Sequence, residues 1–175
     1  MKHLSFLLVA ALCLMSFLPK KKVPNNVQSY ITLHKHYAVA LKDNHNIPAS
    51  ITLAQGMFES GHGSSNLAKN HYNFFGIMDF KEDYWDNECT YQSPNGKTWR
   101  HYESLAEAYE DRANFFKKTC FYDGRKPYIH LFELQKTDYK GWAYGLQNAG
   151  YAGREKGYAK RLIQLIERYD LQRFD

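Results

Sequence analysis

The chain has 175 residues, of which 44% are hydrophobic and 23% charged, and its formal net charge is +5. These values exclude an intrinsically disordered protein and are sufficient for one globular domain with its own hydrophobic core. The positive charge favours an anionic surface as a neighbour, or is an ordinary solvated surface. Because the basic residues form no long run, we expect no nucleic acid partner.

The first 18 residues have the pattern of a secretory signal. A short basic start, Met1 to His3, precedes an apolar stretch from Leu4 to Leu18 that is too short to span a bilayer. We therefore predict a signal peptide at 1–18, with an uncleaved N-terminal anchor as the alternative, and a location in the periplasm or cell envelope. Residues 19–26 are polar and basic and are predicted to be a linker to a single domain at 27–175.

Two cysteines, Cys89 and Cys120, follow the signal segment. An exported protein can form a disulfide, but two cysteines at this spacing do not establish one, and the pairing stays open. The eight histidines are scattered, and no Cys/His cluster has the spacing of metal ligands. The sequence therefore predicts neither a metal site nor a cofactor.

Helical patterns dominate the rest of the chain. Apolar residues recur at helical spacing from Val27 to Leu41, and Ser104 with Glu107 three residues later is typical of a helix start. Between them, Tyr84–Tyr102 suits a β-hairpin, because Asn95-Gly96 is a strong turn signal. We predict a mainly α (α+β) domain with one hairpin, in which the other helices cover Pro48–Ser60, Ser64–Lys69, Asp123–Gln135, Tyr139–Asn148 and Arg154–Tyr169.

The helix Pro48–Ser60 is apolar around most of its circumference, which predicts that it is buried. A narrow strip of small and polar residues is predicted to face a cleft, with Gly56 making space beside Glu59; the strip consists of Thr52, Gln55, Gly56 and Glu59. Glu59 lies at the helix C-terminus, where the helix dipole does not favour a carboxylate. Partial burial would raise its pKa, as a general acid requires, although a surface glutamate is the alternative.

Four stretches in order resemble a known family. The segment 47–63 contains Ala-Gln-x-x-x-Glu-Ser-Gly-x-Gly, and Asn73-Phe74-Phe75-Gly76-Ile77 follows it. Tyr102-Glu103-Ser104 with Ala108-Tyr109, and Gly150-Tyr151-Ala152 with Tyr158-Ala159, come later. Together they strongly resemble the bacterial glucosaminidases of glycoside hydrolase family 73, which include the flagellar peptidoglycan hydrolases. The resemblance covers about 31–171.

The resemblance implies a lysozyme-like helical fold with a small β-hairpin at the active-site cleft. It also implies endo-β-N-acetylglucosaminidase activity, which cleaves the β-1,4 bond between N-acetylglucosamine and N-acetylmuramic acid in peptidoglycan. By resemblance, Glu59 is the general acid and Tyr151 lies near the N-acetyl group of the bound sugar. Five residues are expected to bind substrate or shape the cleft, although packing is the alternative for Phe75 and Trp142: Gln55, Asn73, Phe75, Gln92 and Trp142.

The hairpin departs from the family pattern. Many relatives carry a second acid there, in Thr-x-Glu, whereas this chain has Thr90-Tyr91-Gln92. Glu88 lies two strand positions earlier and would point to the same side of the strand as Thr90. Because the second group is uncertain, inversion through a water, a covalent intermediate, and assistance by the substrate's own N-acetyl group beside Tyr151 all stay open.

Two further hypotheses are kept. A lytic transglycosylase also uses a single glutamate on a lysozyme-like fold, and a wall-binding module that has lost catalysis would explain the missing hairpin acid. In each case the expected partner is the glycan strand of peptidoglycan. No obligate protein partner is indicated, so a monomer is expected.

Overall fold

The computed structural model describes residues 23–79, 89–119, 124–153 and 155–175. These residues form a mainly helical domain with one two-stranded antiparallel sheet, which confirms the predicted fold class. The α-helices are α1 Asn25–His45, α2 Ala49–Ser60, α3 Asn66–His71, α4 Leu105–Lys118, α5 Tyr139–Asn148 and α6 Tyr158–Tyr169. The strands are β1 Thr90–Gln92 and β2 Thr98–Arg100, and two short 3-10 helices cover Ile129–Glu133 and Leu171–Phe174.

Several predictions fall on residues outside the described ranges. These are the signal segment 1–18, the first residues of the linker, Glu88 and Cys120. Helix α1 begins at Asn25, two residues before Val27, where the helical pattern of the sequence begins. No helix in the described ranges combines the length and apolar character needed to cross a membrane.

Helix α2 is the central element of the fold. It packs against α1, α6 and the C-terminal 3-10 helix, and all its residues except Phe58 and Glu59 are buried. This burial confirms the prediction from its composition, and Gly61 ends the helix as expected. At its N-terminus, Asp175 caps the helix from the other end of the chain: the Ser50 backbone N–H and hydroxyl donate to the two Asp175 carboxylate oxygens at 2.8 and 2.6 Å.

The β-hairpin is fixed to the helical body at its base. Strand residue Thr90 pairs with Arg100 and Gln92 with Thr98, around the predicted turn at Asn95-Gly96. Buried Arg100 donates two hydrogen bonds, 2.9 and 2.8 Å, to the carboxylate of Asp111 on α4. This ion pair sets where the hairpin lies relative to α2.

The chain after the hairpin agrees with the prediction in part. Ser104 caps α4 by accepting from the Glu107 N–H at 3.2 Å, and α5 has the predicted bounds. The predicted helix Asp123–Gln135 is wrong: within the described residues only a 3-10 helix forms there, because Pro127 disfavours helical backbone at the residue before it. Helix α6 begins at Tyr158 and not at 154, since Gly157 precedes it in a left-handed conformation.

Candidate active site

Glu59 lies in the last turn of α2 and is half-buried. Burial raises its pKa from 4.5 to about 7, and the nearby Glu155 carboxylate acts in the same direction. The Tyr158 hydroxyl of α6 donates to Glu59 Oε1 at 3.0 Å and opposes this rise. A carboxyl group with a pKa near 7 is protonated in a large fraction of molecules at neutral pH and can donate a proton.

Gly76 forms the surface beside the other carboxylate oxygen. Its backbone φ is +63°, and a Cβ at this position would lie 3.9 Å from Glu59 Oε2 and 3.9 Å from Trp99 Cζ3. Oε2 and the edge of the Trp99 ring are therefore no more than about 8 Å apart. Because residue 76 is a glycine, no side chain enters the space between these two groups, and its positive φ would strain most other residues.

Tyr151 is in the same aromatic cluster as Tyr158. Its hydroxyl donates to the Phe75 carbonyl oxygen at 2.9 Å, and its ring stacks on the Tyr158 ring with centroids 5.9 Å apart. Burial, followed by the charge of Glu59, raises the pKa of Tyr151 well above 10. The structure thus brings Tyr151 and Glu59 together, as the motifs predict, although the Tyr151 hydroxyl is engaged by a backbone carbonyl.

Four residues that were expected to bind substrate or shape the cleft have side chains that are at most 1% exposed and pack inside the protein: Gln55, Asn73, Phe75 and Trp142. For Phe75 and Trp142 this burial agrees with the packing alternative. Trp142 packs edge-on against Phe132 in the core, with ring centroids 5.5 Å apart. The Asn73 side chain donates to the Ile77 and Arg100 carbonyl oxygens at 2.8 and 2.9 Å, which fixes the turn to β2.

The polar strip of α2 also differs from the prediction. Thr52, Gln55 and Gly56 are buried and pack inside the protein, so only Glu59 reaches the surface. A Cβ at Gly56 would overlap the Tyr30 hydroxyl, so this glycine permits close packing of α1 on α2 and does not open space beside Glu59. Gln55 is polar because it bonds to the polar groups of Tyr158 and Arg112, and the Thr52 hydroxyl donates to the Pro48 carbonyl oxygen.

The hairpin places one predicted residue at the surface. Gln92 is exposed on β1 opposite Thr98. Glu88, the predicted second acid, lies outside the described residues. Sequence reasoning missed Glu155, whose carboxylate influences Glu59 and pairs with Arg161. Glu155 lies between Tyr151 and Tyr158, the two halves of the closing motif, and this position could have identified it as a site residue.

Three other residues were not predicted as site residues: Tyr158, which contacts Glu59, Trp99, which lies beside Gly76, and Arg112, which contacts Gln55. Tyr158 belongs to the apolar face of α6, so its hydroxyl gave no separate signal. Trp99 and Arg112 come near α2 only through the packing of the hairpin and α4. The ranges that the structure describes contain no group of three or more His, Cys, Asp or Glu side chains able to hold a metal ion.

Comparison with known proteins gives consistent similarities. Residues 35–171 match the family model Glucosaminidase, described as mannosyl-glycoprotein endo-beta-N-acetylglucosaminidase. The chain is 29% identical over 157 residues to the exo-glucosaminidase LytG of Bacillus subtilis, covering 85% of this chain and 53% of LytG. It is 27% identical over 158 residues to a probable N-acetylmuramidase of Lactococcus lactis, covering 86% of this chain and 35% of that protein. The chain thus spans about half, or less, of these relatives.

The fold has a counterpart among solved structures. The catalytic domain of the autolysin Auto from Listeria monocytogenes superposes with a TM-score of 0.65 at 25% identity, covering 92% of this chain and 93% of that domain. The similarity in fold therefore covers nearly the whole chain.

Proposed function

The chain belongs to the glucosaminidase family, and on this basis we propose that it is a peptidoglycan hydrolase with Glu59 as its general acid. The bond proposed is the β-1,4 linkage between N-acetylglucosamine and N-acetylmuramic acid. One observation carries the proposal: Glu59 is a half-buried carboxyl group with a pKa near 7, and its Oε2 lies beside Gly76, where no side chain covers it. Its partners Tyr158 and Tyr151 lie in the family's closing motif.

In the proposed reaction, protonated Glu59 gives its proton to the glycosidic oxygen while the bond from that oxygen to C1 of N-acetylglucosamine breaks. Water adds to C1 and supplies a hydroxyl, and its remaining proton restores Glu59 or is taken by a second base. The products are a reducing N-acetylglucosamine end and a free O4 on N-acetylmuramic acid. The half-exposed ring of Trp99 supplies an apolar face for a sugar at this position.

We propose three candidates for the second catalytic group. Tyr151 beside the substrate's N-acetyl group supports an assisted route, whereas Glu88 or Glu155 would act as a second carboxylate. The anomer formed first distinguishes inversion from retention and can be followed by NMR during hydrolysis. Replacing Glu88 and Glu155 separately by Gln then identifies the carboxylate: loss of activity in one variant assigns it, and full activity in both supports the assisted route.

The test of the function is a zymogram with purified peptidoglycan, comparing the wild type with Glu59→Gln. We expect clearing by the wild type and none by the folded Glu59→Gln variant, because Gln cannot donate a proton to the leaving oxygen. Glu110→Gln, a change of an exposed carboxylate on α4 (55% exposed), serves as the control and retains activity. Clearing by well-folded Glu59→Gln would contradict the assignment.

Mass spectrometry of the soluble products separates the remaining alternatives. A reducing N-acetylglucosamine end supports the proposed bond, and a reducing N-acetylmuramic acid end would assign a muramidase, as one relative is named. Anhydro-muramic ends would assign a lytic transglycosylase, and binding without clearing would assign a wall-binding protein. Single sugars in place of larger fragments would indicate exo cleavage. Because the proposed substrate is the wall, we also propose a location in the cell envelope.

A further inference from the structure

Glu59 is the last member of a hydrogen-bond chain that begins inside the protein. Arg112 of α4 donates through Nη2 to Gln55 Oε1, and Gln55 Nε2 lies 2.9 Å from the Tyr158 hydroxyl. That hydroxyl lies 3.0 Å from Glu59 Oε1. Arg112, Gln55 and Tyr158 have no exposed surface, so water does not compete for these bonds.

The hydrogen-bond chain from Arg112 to Glu59 can donate in one direction only. A guanidinium group only donates, so the Gln55 oxygen must face Arg112 and the Gln55 NH2 group must face Tyr158. The Tyr158 oxygen accepts that bond, and its one proton is left to donate to Glu59 Oε1. Burial lowers the pKa of Arg112 only to about 10, and burial raises that of Tyr158 well above 10, so both groups keep their protons at neutral pH.

Packing fixes the first member of the chain. The Arg112 guanidinium lies over the rings of Phe75 and Phe116, 5.0 and 4.7 Å from their centroids. Cation–π contacts of this kind stabilise a desolvated guanidinium without accepting its hydrogen bonds. Arg112 can therefore orient Gln55, which lies 57 residues away in the sequence.

We propose that Arg112, Gln55 and Tyr158 act as positioning residues that place the transferable proton of Glu59 on Oε2, the oxygen facing Gly76 and Trp99. Oε1 receives a proton-bearing partner and so serves as an acceptor in both ionisation states of Glu59. The acidic proton then occupies the oxygen between Gly76 and Trp99, where we place the glycosidic oxygen. The inference rests on the proposed function of Glu59 as general acid and names the groups that orient it.

The first test is Tyr158→Phe, which keeps the ring that packs on Tyr151 and Phe58 but removes the donor. A hydrogen bond to a carboxylate favours its ionised form, so its loss raises the pKa of Glu59. We expect the pKa of Glu59, followed by NMR with carboxyl-labelled glutamate and assigned with Glu59→Gln, to rise by about one unit. The alkaline limb of the kcat/KM profile should move to higher pH by the same amount.

The matched control is Tyr128→Phe. Tyr128 is buried in the same cluster, with its ring centroid 6.1 Å from that of Tyr151, but it has no contact with the Arg112–Glu59 chain among the bonds described above. The Tyr128→Phe substitution also removes a buried tyrosine hydroxyl, but not one that bonds to Glu59. We therefore expect the pKa of Glu59 to stay unchanged. An equal shift in both variants would assign the effect to the general packing of the cluster and would overturn the proposal.

Gln55→Glu tests the direction of the chain. The new carboxylate accepts from Arg112 and also accepts from the Tyr158 hydroxyl, which then no longer donates to Glu59. We expect the pKa of Glu59 to rise by more than in Tyr158→Phe, because the new carboxylate also repels the Glu59 charge directly. When the two changes are combined, the rise should be clearly smaller than the sum of the two single rises. Full additivity in the double variant would show that Gln55 does not act through Tyr158 and would contradict the proposal.

The titration separates this inference from the proposed function, because it needs no substrate. If the pKa of Glu59 rises in Tyr158→Phe but the wild-type protein leaves peptidoglycan intact, the hydrogen-bond chain is retained and the hydrolase function is removed. A hydrolase whose Glu59 titrates identically in wild type and Tyr158→Phe would retain the function and remove the chain. Circular dichroism of each variant establishes that the compared proteins are folded.

Discussion

At the scale of single residues, the chemistry depends on how Glu59 is surrounded. Burial favours the neutral carboxyl group, and Glu155 adds to this effect, whereas Tyr158 stabilises the charged form. Burial is the largest of the three influences, so the pKa rises to about 7. The site thereby keeps an acid available at neutral pH and still orients it through one oxygen.

This raised pKa makes stability depend on pH. The unfolded chain ionises Glu59 near pH 4.5 but the folded chain only near 7, so the stability that the neutral form contributes is complete below about 4.5 and lost as pH rises through 7. Gln cannot ionise. We therefore expect Glu59→Gln to match the wild type at pH 4 and to be more stable at pH 8.5, on the order of 2 to 3 kcal/mol.

Urea unfolding at the two pH values measures this difference. The Glu110→Gln variant is the control, because an exposed carboxylate should change stability little at either pH. Equal stability of wild type and Glu59→Gln at pH 8.5 would show that Glu59 is well solvated. The same result would mean that the pKa of Glu59 is not raised, and a carboxyl group with an ordinary pKa is not protonated near neutral pH.

At the scale of elements, the hairpin contributes to the site because it is fixed at its base. Trp99 approaches Gly76 from β2, and its neighbour Arg100 carries the buried ion pair to Asp111 on α4. The Tyr102 hydroxyl donates to the same carboxylate at 2.7 Å. The position of the Trp99 ring relative to Glu59 therefore depends on contacts made by adjacent residues in the core.

We expect Asp111→Asn to lower the free energy of unfolding by about 3 kcal/mol, because it removes the carboxylate charge that lies 2.8 Å from the buried Arg100 guanidinium. Urea unfolding measures the loss. Glu110→Gln, the adjacent position on the same helix, pairs with His45 at the surface and should cost less than about 1 kcal/mol. Similar small losses in both variants would show that the ion pair does not anchor the hairpin.

At the scale of the whole molecule, α2 is held from distant parts of the chain. Asp175 binds its first turn, α6 supplies Tyr158 at its last turn, and Arg112 of α4 reaches its middle through Gln55. The helix that carries the acid is thus placed by residues between 57 and 125 positions away. Such contacts make the site dependent on the complete fold.

We expect Asp175→Ala to reduce stability by about 1 to 2 kcal/mol, because the N-terminus of α2 loses the carboxylate that accepts from the Ser50 N–H and hydroxyl. Thermal unfolding measures the change. Asp43→Ala removes an exposed carboxylate on α1 (57% exposed) and should have almost no effect. Equal melting temperatures for Asp175→Ala and wild type would show that the C-terminal residue does not cap α2.

The sequence by itself determined the helical class, the hairpin turn and the burial of α2, and it led to the proposal of Glu59 as acid. These features depend on local patterns: apolar spacing sets which helix face is buried, Asn-Gly sets the turn, and the ordered motifs identify the family. Only the tertiary structure decided which polar residues are buried with hydrogen-bond partners and which face solvent. Gln55 and Asn73 are polar because they satisfy buried partners, and Tyr158 meets Glu59 across 99 positions. Chain periodicity carries no information on such pairings, because they form only when separate elements pack together.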